Sequence, residues 1–164
     1  MAVLSYTHVG ITVTDLDVSR RFFTEALGFK PVVTSDGGSH KIVANDEYGK
    51  LVSRLLELDE DFDADVEFLQ RDGQTIELVH YKTPSPQRLG RRTMAACGLS
   101  HMCFLVDDID ATVAEIKAHG GSLLEDTRIE TSLPDGVNRQ YVLCLDPDEA
   151  VRVELIVAAH LPNA

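Results

Sequence analysis

The chain carries one segment twice, and this duplication limits the fold more than any other feature of the sequence. Each copy opens on a histidine, His8 or His101, and closes on a strand glutamate, Glu77 or Glu154. An offset of 93 residues aligns the copies, with His8 on His101, Val13 on Val106, Asp15 on Asp108 and Gly28 on Gly121. If the copies pack face to face, two imidazoles and two carboxylates meet around one point.

Each copy begins as a strand followed by a helix. Residues 4–13 are rich in β-branched and aromatic side chains and predict a strand, which 99–106 repeats. Matching helix caps and glycine stops follow: Asp15 and Gly28 in the first copy, Asp107 or Asp108 and Gly120-Gly121 in the second.

The remaining strands complete two modules of the common order βαβββ, and the first module has one strand more. They are predicted at 30–34, 50–58, 65–70 and 74–81 in the first copy and at 122–128, 139–145 and 151–158 in the second. The Asp72-Gly73 pair between two of them is a strong hairpin signal. We predict an α+β fold in a single domain, with module 1 at about 4–81, a linker at 82–98 and module 2 at about 99–158. The linker has room for a short helix at 85–96.

The first copy is the longer one. His8 to Glu77 spans 69 residues and His101 to Glu154 spans 53, so the first copy holds 16 additional residues. We place them between Thr34 and Asp65, a span that includes the glycines at 37–38 and the acidic run at 59–65. A solvated surface insertion is the first interpretation, and a lid or substrate-shaping loop is the alternative.

Charge and hydropathy exclude several classes of partner. Fifteen basic against 27 acidic residues give a net charge of −12, which repels nucleic acid. An anionic small substrate can still bind through a local cluster such as Arg88, Arg91 and Arg92. No apolar run reaches the ~20 residues of a membrane span, and the N-terminus lacks the features of a signal peptide. We therefore expect a soluble cytoplasmic protein that binds neither nucleic acid nor membrane.

The cysteines predict neither disulfides nor a zinc knuckle. Cys97, Cys103 and Cys144 are odd in number and show no CxxC spacing, so reduced thiols are expected.

Strand parity places the repeated histidines and glutamates on exposed sheet faces. Side chains two apart share a face, so His8 faces away from the side that the amphipathic helix covers, and His101 does the same. Glu77 and Glu154 are each flanked by apolar residues, a setting in which an unpaired carboxylate is costly. We predict that these four residues bind one divalent metal ion: Ni²⁺, Co²⁺, Zn²⁺, Mn²⁺ or Fe²⁺. Such an ion polarises a carbonyl and favours abstraction of the adjacent proton through an enediolate.

The sequence resembles the vicinal oxygen chelate superfamily, which includes glyoxalase I, methylmalonyl-CoA epimerase, extradiol dioxygenases and bleomycin resistance proteins. The resemblance covers about 5–158 and is carried by the segments HVGITVTDLDVSRRFFTEALGF (8–29), TIELVHY (75–81), GLSHMCFLVDDIDATVAEIKAHGG (98–121) and LDPDEAVRVELI (145–156). It implies two tandem βαβββ modules whose mixed sheets curl into a cup, with the helices outside. It also implies that His8, Glu77, His101 and Glu154 are the metal ligands and that the protein is a homodimer.

The resemblance implies a function without fixing the subfamily. GLSHMCFLVDDID is similar to the epimerases, although Ser100 stands where they usually have a second histidine, and LDPDEAVRVELI is similar to glyoxalase I. Glu67 in VEFL is a candidate base by similarity to the epimerases, whereas glyoxalase I implies a ligand glutamate, Glu154 or Glu77.

We predict a metal-dependent isomerase or lyase that acts on a small carbonyl compound or thioester. The alternatives are an Fe²⁺ extradiol ring-cleaving dioxygenase and a metal-free drug- or metabolite-binding resistance protein. Extradiol dioxygenases do not need a glutamate at position 77, so Glu77 favours isomerase or lyase chemistry.

Overall fold

Two compact units, Met1–Arg88 and Leu89–Ala164, make up the chain in its computed structural model. The structure describes residues 3–33, 39–43, 47–58, 62–132 and 138–158. The glycines at 37–38 and the first residues of the acidic run, 59–61, lie outside the described residues. None of the described helices is both long and apolar enough to cross a membrane.

The first unit is a mixed five-stranded sheet with one helix on the repeated βα segment. Its strands are β1 (Val9–Thr12), β2 (Lys30–Pro31), β3 (Ser39–Val43), β4 (Asp63–Arg71) and β5 (Gln74–Thr83), and its helices are α1 (Leu16–Arg21), which continues as a π-helical turn (Phe22–Ala26), and α2 (Glu47–Leu55). The strand order is β1-β5-β4-β2, and β3 also pairs with β4. β1 and β5 are parallel, whereas the other pairs are antiparallel.

The second unit repeats this arrangement. Its strands are β6 (Met102–Leu105), β7 (Ser122–Leu123), β8 (Ile129–Ser132), β9 (Asn138–Leu145) and β10 (Arg152–Ala158), with helix α3 (Ile109–Ala118) and a 3₁₀ turn (Glu125–Thr127). The strand order is β6-β10-β9-β7, and β8 also pairs with β9. The first strand again lies parallel to the last one, β6 beside β10. The α+β fold of open mixed sheets with few helices is confirmed.

The predicted caps and turns form at the residues named. Asp15 Oδ1 accepts a hydrogen bond from the Val18 amide at 2.9 Å, and Asp108 Oδ1 accepts one from the Ala111 amide at 2.9 Å, so each aspartate caps its helix. A two-residue loop joins β4 to β5, and both of its residues, Asp72 and Gly73, have positive φ, at 50° and 76°. Such a loop suits the Asp-Gly pair.

Each sheet has one face covered by its helix. In the first unit, Phe22, Phe23 and Leu27 are buried, and so are Ile76 and Leu78 of β5. In the second unit, Ile109, Val113 and Ile116 of α3 are buried in the same way, together with Val153 and Leu155 of β10. Glu77 of β5 and Glu154 of β10 alternate with these buried residues, so the two glutamates lie on the opposite face of each sheet.

One prediction for the insertion between β2 and β4 is wrong. Residues 50–58 were expected to form a strand, but α2 occupies Glu47–Leu55, and a strand absent from the prediction, β3, precedes it. Most of the described side chains of α2 are exposed, including Leu51 and Leu55, while Ser53 is buried. Val52, Leu58 and Phe62 pack against Ala64 and Val79, with Tyr81 beside them, and these sheet residues lie on the same face as Glu77.

The linker holds no helix either. Residues 85–96 are all described, and their only regular feature is a turn at Met94–Ala95. Pro84, Pro86 and Gly90 account for this, because proline lacks the amide donor and glycine is a poor helix former. Gly90 also has a positive φ of 70°.

Candidate metal centre

The first unit holds a histidine–glutamate pair on the sheet face opposite α1. The parallel register of β1 and β5 sets Gly10 beside Glu77, so His8, two residues earlier, emerges on the same face. His8 Nε2 lies 3.3 Å from Glu77 Oε2, and Phe68 packs edge-on against the imidazole with 5.4 Å between ring centroids. A Cβ atom on Gly10 would lie 3.5 Å from Glu77 Oε2, so the glycine leaves room beside the carboxylate.

The second unit holds the equivalent pair. The register of β6 and β10 sets Cys103 beside Glu154, and His101 precedes Cys103 by two residues. His101 Nε2 lies 3.1 Å from Glu154 Oε2. Both carboxylates are half-buried, with 23% of the Glu77 side chain and 25% of the Glu154 side chain exposed. The sequence repeat is therefore also a repeat of side-chain geometry.

The spacing within each pair suits two adjacent ligands of one ion. For metal–ligand bonds of about 2.1 Å, two ligands at a right angle stand about 3.0 Å apart, and at a tetrahedral angle about 3.4 Å. The observed nitrogen–oxygen separations, 3.3 and 3.1 Å, fall in this interval. Imidazole nitrogen and carboxylate oxygen are donors suited to Zn²⁺, Fe²⁺, Mn²⁺, Co²⁺ and Ni²⁺.

Each unit by itself brings together one histidine and one glutamate. Among the described residues, no group of three or more histidine, cysteine, aspartate or glutamate side chains could hold a metal. The four residues named from the sequence are thus present as two matched pairs, His8 with Glu77 and His101 with Glu154. A four-ligand centre requires one pair from each unit, and it stays a prediction.

A hydroxyl side chain contacts Nδ1 of each histidine, the ring nitrogen that does not contact the glutamate. This contact was not predicted from the sequence. Thr7 Oγ1 lies 3.2 Å from His8 Nδ1, and Ser100 Oγ lies 2.9 Å from His101 Nδ1. Thr7 and Ser100 also match at the offset of 93, and that match was the available signal. A metal-bound Nε2 leaves the proton on Nδ1, and the hydroxyl oxygen can accept it.

Removing these hydroxyls should weaken metal binding without abolishing it. We expect Thr7→Val and Ser100→Ala each to lower metal affinity about 10- to 100-fold, because the imidazole loses the contact that orients it. Competition with a chromophoric chelator measures this effect, and Ser5→Ala in the same N-terminal segment is the control. Unchanged affinity in both variants would show that the hydroxyls are incidental neighbours.

Cys103 lies beside the second pair, next to Glu154 in the register of β6 and β10. Burial, together with Glu154, raises the pKa of the Cys103 thiol to about 11. The thiol donates a hydrogen bond to the Glu154 carboxylate, and the raised pKa disfavours the thiolate that a metal would bind. We therefore expect Cys103→Ala to keep its full metal content, measured by atomic emission; loss of the metal in that variant would place Cys103 among the ligands.

The structure does not bring Glu67 together with either pair. In the antiparallel register Glu67 lies opposite Leu78 and the next residue, Phe68, lies opposite Glu77, so Glu67 points to the helix-covered face. Its side chain is buried, with 7% of the residue exposed, and Oε2 lies 3.5 Å from Arg20 Nε. Burial raises its pKa, while Arg20 opposes that shift. A base at position 67 must lie on the same sheet face as the predicted metal ligands. In this register the Glu67 side chain lies on the other face.

Comparison with known proteins gives a family-level match over most of the chain. A family model described as the Glyoxalase/Bleomycin resistance protein/Dioxygenase superfamily matches residues 5–155. An uncharacterized protein of Escherichia coli, YaeR, is 31% identical over 143 residues, which cover 86% of this chain and 87% of that protein.

Two further relatives carry enzyme names. Lactoylglutathione lyase of Schizosaccharomyces pombe is 29% identical over 156 residues, covering 90% of this chain and 46% of that protein. The 2-epi-5-epi-valiolone epimerase of an Actinomyces species is 30% identical over 115 residues, covering 70% of this chain and 58% of that protein. The chain spans about half the length of these two relatives.

Solved structures share the fold at low sequence identity. A glyoxalase family protein from Bacillus cereus superposes with a TM-score of 0.73 at 21% identity, covering 98% of this chain and 97% of the other. The fosfomycin resistance protein FosX from Listeria monocytogenes, in complex with Mn(II) and sulfate, superposes with a TM-score of 0.53 at 15% identity, covering 98% and 95%.

Proposed function

Because the chain belongs to the glyoxalase/bleomycin resistance protein/dioxygenase superfamily, we propose that it is a divalent-metal-dependent isomerase or lyase. Its substrate is a small carbonyl compound or thioester, and the reaction moves a proton through an enediolate. The relatives named lactoylglutathione lyase and 2-epi-5-epi-valiolone epimerase support these two reaction classes.

One observation carries the proposal: the histidine–glutamate pair occurs twice, with the same geometry, at equivalent positions of the repeat. Separations of 3.3 Å in the first unit and 3.1 Å in the second fit adjacent ligands of a single ion. His8, Glu77, His101 and Glu154 would hold the ion, with the two units contributing one pair each. Those two pairs come from one chain or from two chains of a homodimer.

A bound divalent ion would polarise the substrate carbonyl and offset negative charge on its oxygen. The protein's own part is the proton transfer. Glu77 or Glu154 takes the proton from the carbon next to the carbonyl and returns it, because a carboxylate beside the reacting carbon is the group required there. Glu67 is on the other face of the first sheet, so it is left out of this step.

Solvent exchange separates this function from ring cleavage. We expect the metal-loaded protein, mixed with small α-hydroxy carbonyl compounds and thioesters such as lactoylglutathione, to exchange a substrate C–H proton in D₂O without consuming oxygen. Nuclear magnetic resonance detects the exchange, and an oxygen electrode provides the second reading. Oxygen uptake by the iron-loaded protein on a catechol, without any exchange, would instead identify a dioxygenase.

A further inference from the structure

The second unit contains a cavity of about 470 Å³ that the proposed function has not used. Its lining includes Arg91, Arg92, Glu125, Asp126, Leu143 and Arg152. The register of β9 and β10 sets Leu143 opposite Glu154, and Arg152 precedes Glu154 by two residues. The cavity therefore opens on the same sheet face as the His101–Glu154 pair.

Arg152 is the most constrained residue of this cavity. Only 9% of it is exposed, and within the described part of the chain its side chain makes no hydrogen bond or ion pair. A guanidinium cannot escape the cost of burial by losing its proton, because it stays charged at every physiological pH. A largely buried charge normally has a partner, and the Arg152 nitrogens stay accessible from the cavity, so an anion can reach them.

Two more arginines line the same cavity. Arg91 and Arg92 are exposed and stand at its edge in the segment that precedes β6. Glu125 and Asp126 also contribute to the lining, but Lys117 lies 3.4 Å from Glu125 and partly balances its charge. A locally basic cavity in a chain of net charge −12 is a departure from the rest of the surface.

We propose that this cavity, the arginine pocket, binds the oxyanion end of the substrate, a carboxylate or a phosphate group. Arg152 forms the bidentate contact at its base, and Arg91 and Arg92 add charge at its edge. Residues two apart on a strand are about 6.5–7 Å apart, so the anionic group lies a few bonds from a carbon held at Glu154. The assignment of the anion to a substrate rests on the proposed function; the pocket itself does not.

Arg88, the third arginine of the sequence cluster, is not part of the pocket. It belongs to the first unit, where its Nη2 lies 3.3 Å from Thr14 Oγ1. The cluster predicted as Arg88, Arg91 and Arg92 is thus replaced in the second unit by Arg91, Arg92 and Arg152. Arg152 is far from the other two in sequence, and only the fold brings it beside them.

Anion binding to metal-stripped protein tests the pocket separately from the metal. We expect inorganic phosphate or propionate to bind and to raise the melting temperature, with a weaker effect at higher ionic strength. Arg152→Gln should weaken the binding at least about 10-fold, since a charge-assisted contact is lost. Arg128→Gln is the matched control, because Arg128 is an arginine of the same unit that pairs with Asp110 on the surface.

The melting temperature without any anion separates a binding role from a structural one. If Arg152 serves a ligand, Arg152→Gln keeps or raises that temperature and loses only the increase caused by phosphate. Should this variant fail to fold, the exposed pair Arg91→Gln/Arg92→Gln must still weaken phosphate binding. No binding of either anion to the unaltered chain, or equal binding by all variants, would overturn the pocket. Tighter binding of phosphate than of propionate would indicate a phosphorylated substrate, and tighter binding of propionate would indicate a carboxylated one.

These outcomes stay distinct from those of the proposed function. Anion binding in a protein that takes up no metal would leave the pocket standing and refute the metalloenzyme. Proton exchange by a metal-loaded protein whose Arg152→Gln variant has unchanged KM would refute the assignment of the pocket to the substrate and leave the metalloenzyme standing.

Discussion

Proton exchange should fall by on the order of 10²- to 10⁴-fold when the glutamate that acts as the base becomes glutamine. We expect this fall in Glu77→Gln or in Glu154→Gln. The amide keeps an oxygen that can coordinate, so either glutamine variant should retain metal better than the alanine variant at the same position. Exchange in D₂O gives the rate, and atomic emission gives the metal content of each preparation.

Glu67→Gln is the internal control for this series. Its side chain is buried against Arg20 on the other face of the first sheet, so the variant should keep its metal and most of its rate. A rate lower by several orders of magnitude in Glu67→Gln, with the metal retained, would mean that Glu67 reaches the substrate and does not lie on the helix-covered face.

The second large effect concerns the histidines. We expect His8→Ala and His101→Ala each to weaken metal binding on the order of 10²- to 10³-fold, about a quarter of the ~10–16 kcal/mol that a four-ligand site provides. Chelator competition measures the affinity of each variant. His80→Ala is the matched control, because His80 lies on β5 but on the opposite face from Glu77. Metal affinity that is equal in all three variants would refute the ligand assignment.

The duplication made much of the fold predictable. Caps at Asp15 and Asp108 and the hairpin at Asp72-Gly73 formed where the sequence placed them, because each depends on short-range chemistry within a few residues. The orientation of β1 and β6 was predictable as well. The apolar residues of each strand face its helix, and this places His8 and His101 on the other face.

The insertion was not predictable by the same means. LVSRLLEL at 51–58 alternates poorly and has apolar residues at spacings that suit both a strand and a helix, and short apolar runs do not separate the two. Good helix formers such as Leu51, Lys50 and Arg54 favour α2, and contacts of Val52 with Phe62 and Ala64 fix it against the sheet. Those contacts join residues of different elements, so the local sequence pattern of 51–58 carries no information about them.

The sequence also contained the information that fixes the orientation of Glu67. A two-residue hairpin loop at Asp72-Gly73 pairs Arg71 with Gln74, and counting back along both strands pairs Phe68 with Glu77. Glu67 must then face the opposite side. The pairing of Thr7 with Ser100 was available in the same way, from the offset that aligned the histidines.

The metal content of the unaltered chain tests the central claim most directly. The protein should be purified without chelators and without a metal-binding tag, then analysed for all first-row transition metals against protein concentration. We predict one divalent ion per chain, whether the two histidine–glutamate pairs meet within one chain or across a homodimer. Protein that contains no such ion, and that takes none up from Ni²⁺, Co²⁺, Zn²⁺, Mn²⁺ or Fe²⁺ at micromolar concentration, would contradict the account.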